Sequence, residues 1–305
     1  MVAGRIPPRP ARPSGTGLAR TPASSFSMDV TLPYRVAGSG PSVLVIHGAG
    51  SDGRLWARDL APLSESHCVI TYSRRGYAVS SEPTTDWRVH GDDAAALIKA
   101  LCRPPVAIVA HSAGSIAALD VAIKDPTLVS QIVLLDPAFR ARRNLTIGLL
   151  VAYLQAMALR RVGRESAAVD AWLRYGNSYT TGGSAFDSFS AERREALRAN
   201  AKGIFADIAA GDGSYITDAE LDSIQTPTAI VLGELSPPFL QSSAAALSRA
   251  LPDATLHTLA CSGHAMAFDQ RDALIACLRA VIGQRPHESS RKSTHASWTH
   301  GARKD

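Results

Sequence analysis

The stretch Ile108–Gly114, read IVAHSAG, decides the fold. A short apolar run, PVAIVAHS, stops at the polar pair His111-Ser112, and a helix-forming run, GSIAALDVAIKD, follows at once. A strand that passes directly into a helix leaves one sharp turn between them. The residue at its apex is held in a strained backbone conformation with its side chain exposed, and only small residues two positions before and after clear the turn. Here those positions are Ala110 and Gly114. The spacing therefore presents the Ser112 hydroxyl at the end of a buried strand, with the Ala113 N–H at the start of a helix, where an anion is favoured.

Outward from this turn, the chain alternates in period. SVLVIHG (42–48), CVITYS (68–73), QIVLLD (131–136), TAIVLG (228–233) and ATLHTLA read as short strands closed by polar or small residues. Helical spacing runs through RLWARDLAPLSES (54–66), VHGDDAAALIKALC (89–102), SSAAALSRAL and RDALIACLRAVI. Strands separated by helices of this length imply an α/β fold with a mostly parallel central sheet flanked by helices. Function in such sheets gathers at the carboxyl ends of the strands. Residues 138–223 hold helical segments and no strand pattern, so they read as a helical cap inserted into a core of residues 28–137 and 224–284.

The bulk numbers narrow the function. The chain has 305 residues, 46% hydrophobic and 19% charged, with a net charge of +5. Residues 1–27 carry four arginines and no acid, and residues 285–305 carry five Lys/Arg against two acids. The basic character thus belongs to two Pro-, Ser- and Gly-rich tails, both expected to be disordered. The remainder is slightly acidic, which argues against nucleic acid as a partner. Cys68, Cys102, Cys261 and Cys277 are widely spaced and form neither a zinc pattern nor a disulfide framework, so no metal is expected and a cytoplasmic location is. No apolar run is long enough for stable membrane insertion. Oligomeric state is not legible.

Taken together, these stretches resemble the α/β-hydrolase superfamily, in its capped form with a serine nucleophile. AHSAG stands where that family writes G-x-S-x-G, with Ala110 in place of the first glycine. VIHGAGSDGRLW (45–56) is similar to its H-G-x-G loop, and the resemblance implies an oxyanion hole made by the backbone N–H groups of Ala49 and Ala113. YSRRGYAVS (72–80) is similar to a structural stretch of the family, with Ser73 and Ala78 substituted. CSGHAMAFDQ (261–270) places His264 where the family keeps its base. His47 reads as support for the oxyanion loop, His111 as a variable position of the turn, and His257 as packing within a strand.

The acid is less plainly written. The family's usual position falls on Ser236, which carries no charge. Asp136, at the end of QIVLLD and just before Pro137, is the preferred carboxylate, and Glu234 is the alternative. The expected activity is cofactor-independent serine hydrolysis of a small hydrophobic acyl or ester substrate, a carboxylic ester or lactone. A C–C bond hydrolase, a cofactor-free perhydrolase and a ligand-binding protein with a degenerate site stay open. LTIGLLVAYLQAMAL (145–159) is apolar on nearly every face and reads as a helix buried between cap and core, with a pocket lining as the sharper alternative.

Overall fold

The computed structural model describes residues 15–21, 30–282 and 296–298. Nine strands form one sheet: β1 (Gly15–Thr21), β2 (Val30–Ala37), β3 (Ser42–Ile46), β4 (Cys68–Tyr72), β5 (Val106–His111), β6 (Val129–Leu135), β7 (Thr228–Gly233), β8 (Ala254–Leu259) and β9 (Ala296–Trp298). Their spatial order is β1-β2-β4-β3-β5-β6-β7-β8-β9. The pairings β1–β2 and β2–β4 are antiparallel and the rest are parallel, so the expected α/β sheet is present.

Both faces of the parallel strands are covered, which is why they read as continuous apolar runs. In β3, Leu44 and Ile46 pack to one side, with α2 (Trp87–Leu101) and α3 (Gly114–Lys124). Val43 and Val45 pack to the other, with α1 (Gly53–Asp59). The strand order reverses between β3 and β5, since β4 lies on one side of β3 and β5 on the other. The crevice at that reversal is where α/β sheets place their sites. The loop after β3 carries Ala49, and Ser112 follows β5.

Between β6 and β7 the chain forms α4 (Ile147–Arg161), α5 (Glu165–Gly176), α6 (Ala185–Ser188), α7 (Ala191–Arg198), α8 (Ala201–Ala210) and α9 (Asp218–Asp222). This insertion has an apolar cluster of its own, built from Val169, Phe186, Ile204 and Phe205, into which Leu55 and Tyr77 of the sheet layer reach. The polypeptide then completes the sheet layers with α10 (Pro238–Ala250), α11 (Met266–Asp269) and α12 (Arg271–Val281).

Two expectations need correction, and one strand comes without any. Most of the two tails lies outside the described residues, but Gly15–Thr21 and Ala296–Trp298 are strands at the two sheet edges rather than disordered chain. An open edge offers unpaired N–H and C=O groups that recruit backbone of almost any composition. β2 has no counterpart in the sequence reading, because Pro33 interrupts its pattern. Finally, α4 is not buried all round: Leu149, Ala152 and Ala156 face inward, while Ile147, Val151 and Leu154 face out.

Candidate active site

Ser112 has φ of 53°, the left-handed region that side chains rarely adopt. The chain is held there from both sides: its N–H donates to the Leu135 carbonyl, and its carbonyl accepts from the Ala138 N–H. The small residues around it are required by contact. A Cβ on Gly114 would lie 2.7 Å from the carbonyl oxygens of Ile46 and His47, and one on Gly48 would lie 2.6 Å from the Ser112 Cβ. Ala110 is fully buried in β5.

The Ser112 Oγ is 3.0 Å from the His264 Nε2, and the His264 Nδ1 is 3.1 Å from the Asp136 Oδ2. All three side chains are buried or nearly so. A carboxylate only accepts, so Nδ1 carries the proton that Asp136 receives, and Nε2 is left to accept from the serine hydroxyl. That is the protonation state in which an imidazole can serve as a base toward Ser112.

Asp136 is the more built-in member of this chain. It sits directly after β6 with φ of 43°, a conformation that Asp tolerates better than most residues. Its N–H donates to the Val231 carbonyl. Its Oδ1 accepts from the Gly233 N–H at 2.9 Å, and its Oδ2 accepts from the Ser236 hydroxyl as well as from His264. Ser236, at the position where the resemblance implies a carboxylate, is therefore a donor to the carboxylate of Asp136 on the neighbouring strand. Glu234 is elsewhere: its Oε2 accepts from the Cys261 N–H at 2.8 Å, and the alternative acid does not reach His264.

The loop bearing His264 is clamped by Asp269, which accepts from the Gly263 N–H and from the Tyr179 hydroxyl of the insertion. The His111 ring stacks on His264 at 4.4 Å between centroids, and its Nε2 is 3.1 Å from the His264 carbonyl oxygen. Burial, with His264 adjacent, holds His111 well below its ordinary pKa, so a neutral ring backs the imidazole. Nothing in the sequence around His111, which reads as a variable position of the turn, marks this contact.

The loop after β3 that carries Ala49 is supported from below. The His47 Nδ1 meets the Gly48 carbonyl at 2.8 Å, and its Nε2 accepts from the Arg74 N–H at 2.9 Å. Those two bonds specify one neutral tautomer, and burial, helped by Arg74, pushes its pKa down to about 3. Arg74 is itself fully buried and forks onto Asp207 of α8 at 3.0 and 2.6 Å. Asn200 bridges the same region, donating to the Gly50 carbonyl and accepting from the Ala78 N–H. Neither Asp207 nor Asn200 stands in a recognisable motif, and no sequence signal marked them.

A strained serine between β5 and α3, a histidine after β8 and a sheet that reverses at β3 and β5 place this architecture among known ones. Residues 43–276 match the model of the alpha/beta hydrolase family. The chain belongs to that family. Among curated relatives of this chain is 2-(acetamidomethylene)succinate hydrolase of Mesorhizobium japonicum, 34% identical over 109 residues, which cover 35% of this chain and 39% of that protein. The matched segments thus span about two fifths of such relatives. Solved structures agree over far more of the length. A thermophilic esterase from Thermogutta terrifontis superposes with a TM-score of 0.70 at 19% identity, covering 87% of this chain and 97% of that one. The enol-lactonase of Burkholderia xenovorans LB400 gives 0.67 at 19% identity, covering 82% and 96%. At such identities the likeness is one of fold.

Two cavities adjoin beside Ser112, sharing Ala49 and Ala113 in their walls. One, of about 140 Å³, is lined by Ser112 and His264 together with Trp56, Leu173 and the Asp59–Arg193 ion pair. The other, of about 480 Å³, is mostly apolar and runs beneath α4, with Leu145, Leu150 and Tyr153 in its wall. Ala49 and Ala113 line both, so the expected oxyanion residues stand at the junction.

Proposed function

We propose that this protein is a serine hydrolase of carboxylic esters, lactones or related acyl compounds, working through Ser112, His264 and Asp136. The observation that carries the reading is the continuous chain of contacts from the Ser112 Oγ through both nitrogens of His264 to a buried carboxylate. In this reading the Ser112 Oγ attacks the substrate carbonyl while His264 takes its proton. The backbone N–H groups of Ala49 and Ala113 receive the developing oxyanion, each contributing about 3 kcal/mol. His264 then protonates the leaving alcohol, and the acyl group remains on Ser112. Water enters, His264 removes its proton, and the acid departs. Asp136 holds the imidazole orientation and stabilises its cation in both halves.

The larger cavity is suited to an apolar acyl or alkyl group, and the helices over it act as a cap on residues 138–223. The reaction calls for no cofactor or metal, and the slightly acidic core favours a small substrate over nucleic acid. No disulfide joins the four cysteines among the described residues, which supports a reducing, cytoplasmic setting. No helix among the described residues is long and apolar enough to cross a membrane.

The test is covalent labelling by a fluorophosphonate, run beside p-nitrophenyl ester hydrolysis over a short-to-medium acyl series. Wild type is expected to label and turn over, and Ser112→Ala to do neither. An unlabelled, correctly folded wild type would refute the nucleophile and favour a binding protein on a hydrolase scaffold. Labelling without ester turnover would direct the search to C–C bond cleavage or perhydrolysis.

A further inference from the structure

Seven of the nine most exposed large apolar side chains among the described residues fall between Leu145 and Val162. At 100° per residue, Ile147, Val151 and Leu154 form one stripe of α4, opposite to the buried Leu149, Ala152 and Ala156. The three are 84%, 56% and 55% exposed, values that a water-facing helix normally reserves for polar residues. Their surroundings are cationic. Residues 140–164 contain six arginines and no acid. Arg161 continues the apolar stripe at its C-terminal end, Arg143 precedes it, and Arg164 follows. Among the described residues, Arg161 and Arg164 form no ion pair, whereas Arg160 lies over the Phe205 ring and Arg140 is taken by Asp218.

We propose that the exposed face of α4 docks this protein reversibly on an anionic lipid surface. An in-plane helix with bulky apolar residues, and arginines at the level of the headgroups, meets both demands of such a surface. A second copy of the chain meets only one. Pairing two α4 stripes in either direction sets cationic helix ends against each other or leaves them unanswered, while acidic headgroups neutralise them. The geometry also gives the docking a use. Leu150 and Tyr153, on the flank of the same helix, line the 480 Å³ apolar cavity that reaches Ala49 and Ala113. A docked α4 therefore sets that cavity beside the acyl region of the bilayer. The docking itself rests on α4 and its arginines and does not depend on the catalytic reading.

The experiment is co-sedimentation of the full chain with phosphatidylcholine vesicles and with mixed phosphatidylcholine–phosphatidylglycerol vesicles at low salt. Wild type is expected to pellet with the mixed vesicles on the order of tenfold better than with phosphatidylcholine alone, and to be released by added salt. The triple variant Ile147→Glu/Val151→Glu/Leu154→Glu should stay in the supernatant with both. The double variant Arg161→Gln/Arg164→Gln should lose roughly 25-fold on mixed vesicles and little on neutral ones, at about fivefold per arginine. All five positions are exposed, and thermal melting checks that each variant folds. Wild type left in the supernatant, or variants that pellet as it does, would overturn the proposal. A dimer by light scattering that the triple variant abolishes, without vesicle binding by wild type, would also overturn it and assign the stripe to a second copy.

Discussion

Replacing Asp136 by Asn changes one atom's chemistry and, through it, the direction of a proton. The Gly233 N–H points at Oδ1 from 2.9 Å, so an Asn side chain keeps its carbonyl oxygen there. Its amide nitrogen must then take the place of Oδ2 and face the His264 Nδ1. Two donors cannot face each other, so the neutral imidazole moves its proton to Nε2, the atom that has to accept from Ser112. The serine loses its base while every backbone atom stays in place. Such a tautomer reversal costs about 10⁴-fold in kcat, which is roughly 5.5 kcal/mol of transition-state stabilisation. The assay is steady-state p-nitrophenyl ester hydrolysis, with a thermal melt to establish that the variant is folded. Glu234→Gln is the internal control and should lie within about twofold of wild type, because its carboxylate serves only the Cys261 N–H. A folded Asp136→Asn that keeps a tenth of wild-type kcat would refute the assignment of the acid. If Asp136→Asn and Glu234→Gln lose equal activity, the geometric argument itself fails.

Stability should fall with acid in a definite window. His47, His90 and His111 all have pKa values lowered by burial, so each is neutral when folded and titrates near 6.5 when unfolded. Below pH 6.5 the unfolded chain binds more protons, and folding loses free energy until the folded pKa is reached, about 3 for His47. For His47 alone this is about 2 kcal/mol between pH 6.5 and pH 5. Denaturant melts at pH 7.5 and pH 5 will read it, and equal midpoints would exclude it. Asp207→Asn should cost about 3–5 kcal/mol, because it leaves the fully buried Arg74 guanidinium without its counter-charge. Urea unfolding measures this, and a loss under about 1 kcal/mol would show that the pair is not what fastens α8 to the sheet layer.

Local signals made Ser112 and His264 conspicuous. The strand-to-helix turn is written in consecutive residues, and His264 follows the last strand of the core. The parallel sheet was legible for the same reason, since strands buried on both faces are unbroken apolar runs. What escaped notice depends on contacts across the sequence. Ser236 was passed over because it carries no charge, yet its hydroxyl faces Asp136 from 100 residues away. Arg74 and Asp207 are 133 positions apart, and nothing local pairs them. The stacking of His111 on His264 joins a position that turns usually leave free to a loop after the far strand. β2 was lost to Pro33, and β1 to a composition that reads as unstructured. For α4, an all-apolar sequence was read as burial on all sides, although periodicity cannot say which faces meet protein.

Asp136 directly follows core strand β6 and stands at the head of the segment 137–146 that leads through Pro137 into the inserted helices. An insertion whose two splice points both lie remote from the chemistry can be exchanged wholesale. Here the upstream splice point abuts Asp136, so under the proposed mechanism recombination has to preserve a left-handed backbone and an Asp-Pro step on pain of losing the orientation of His264. Chimeras that swap residues 138–223 should tolerate foreign sequence downstream far better than at the first junction. In evolutionary terms, new substrate ranges would arise in this lineage by point changes within the insertion more readily than by shuffling it.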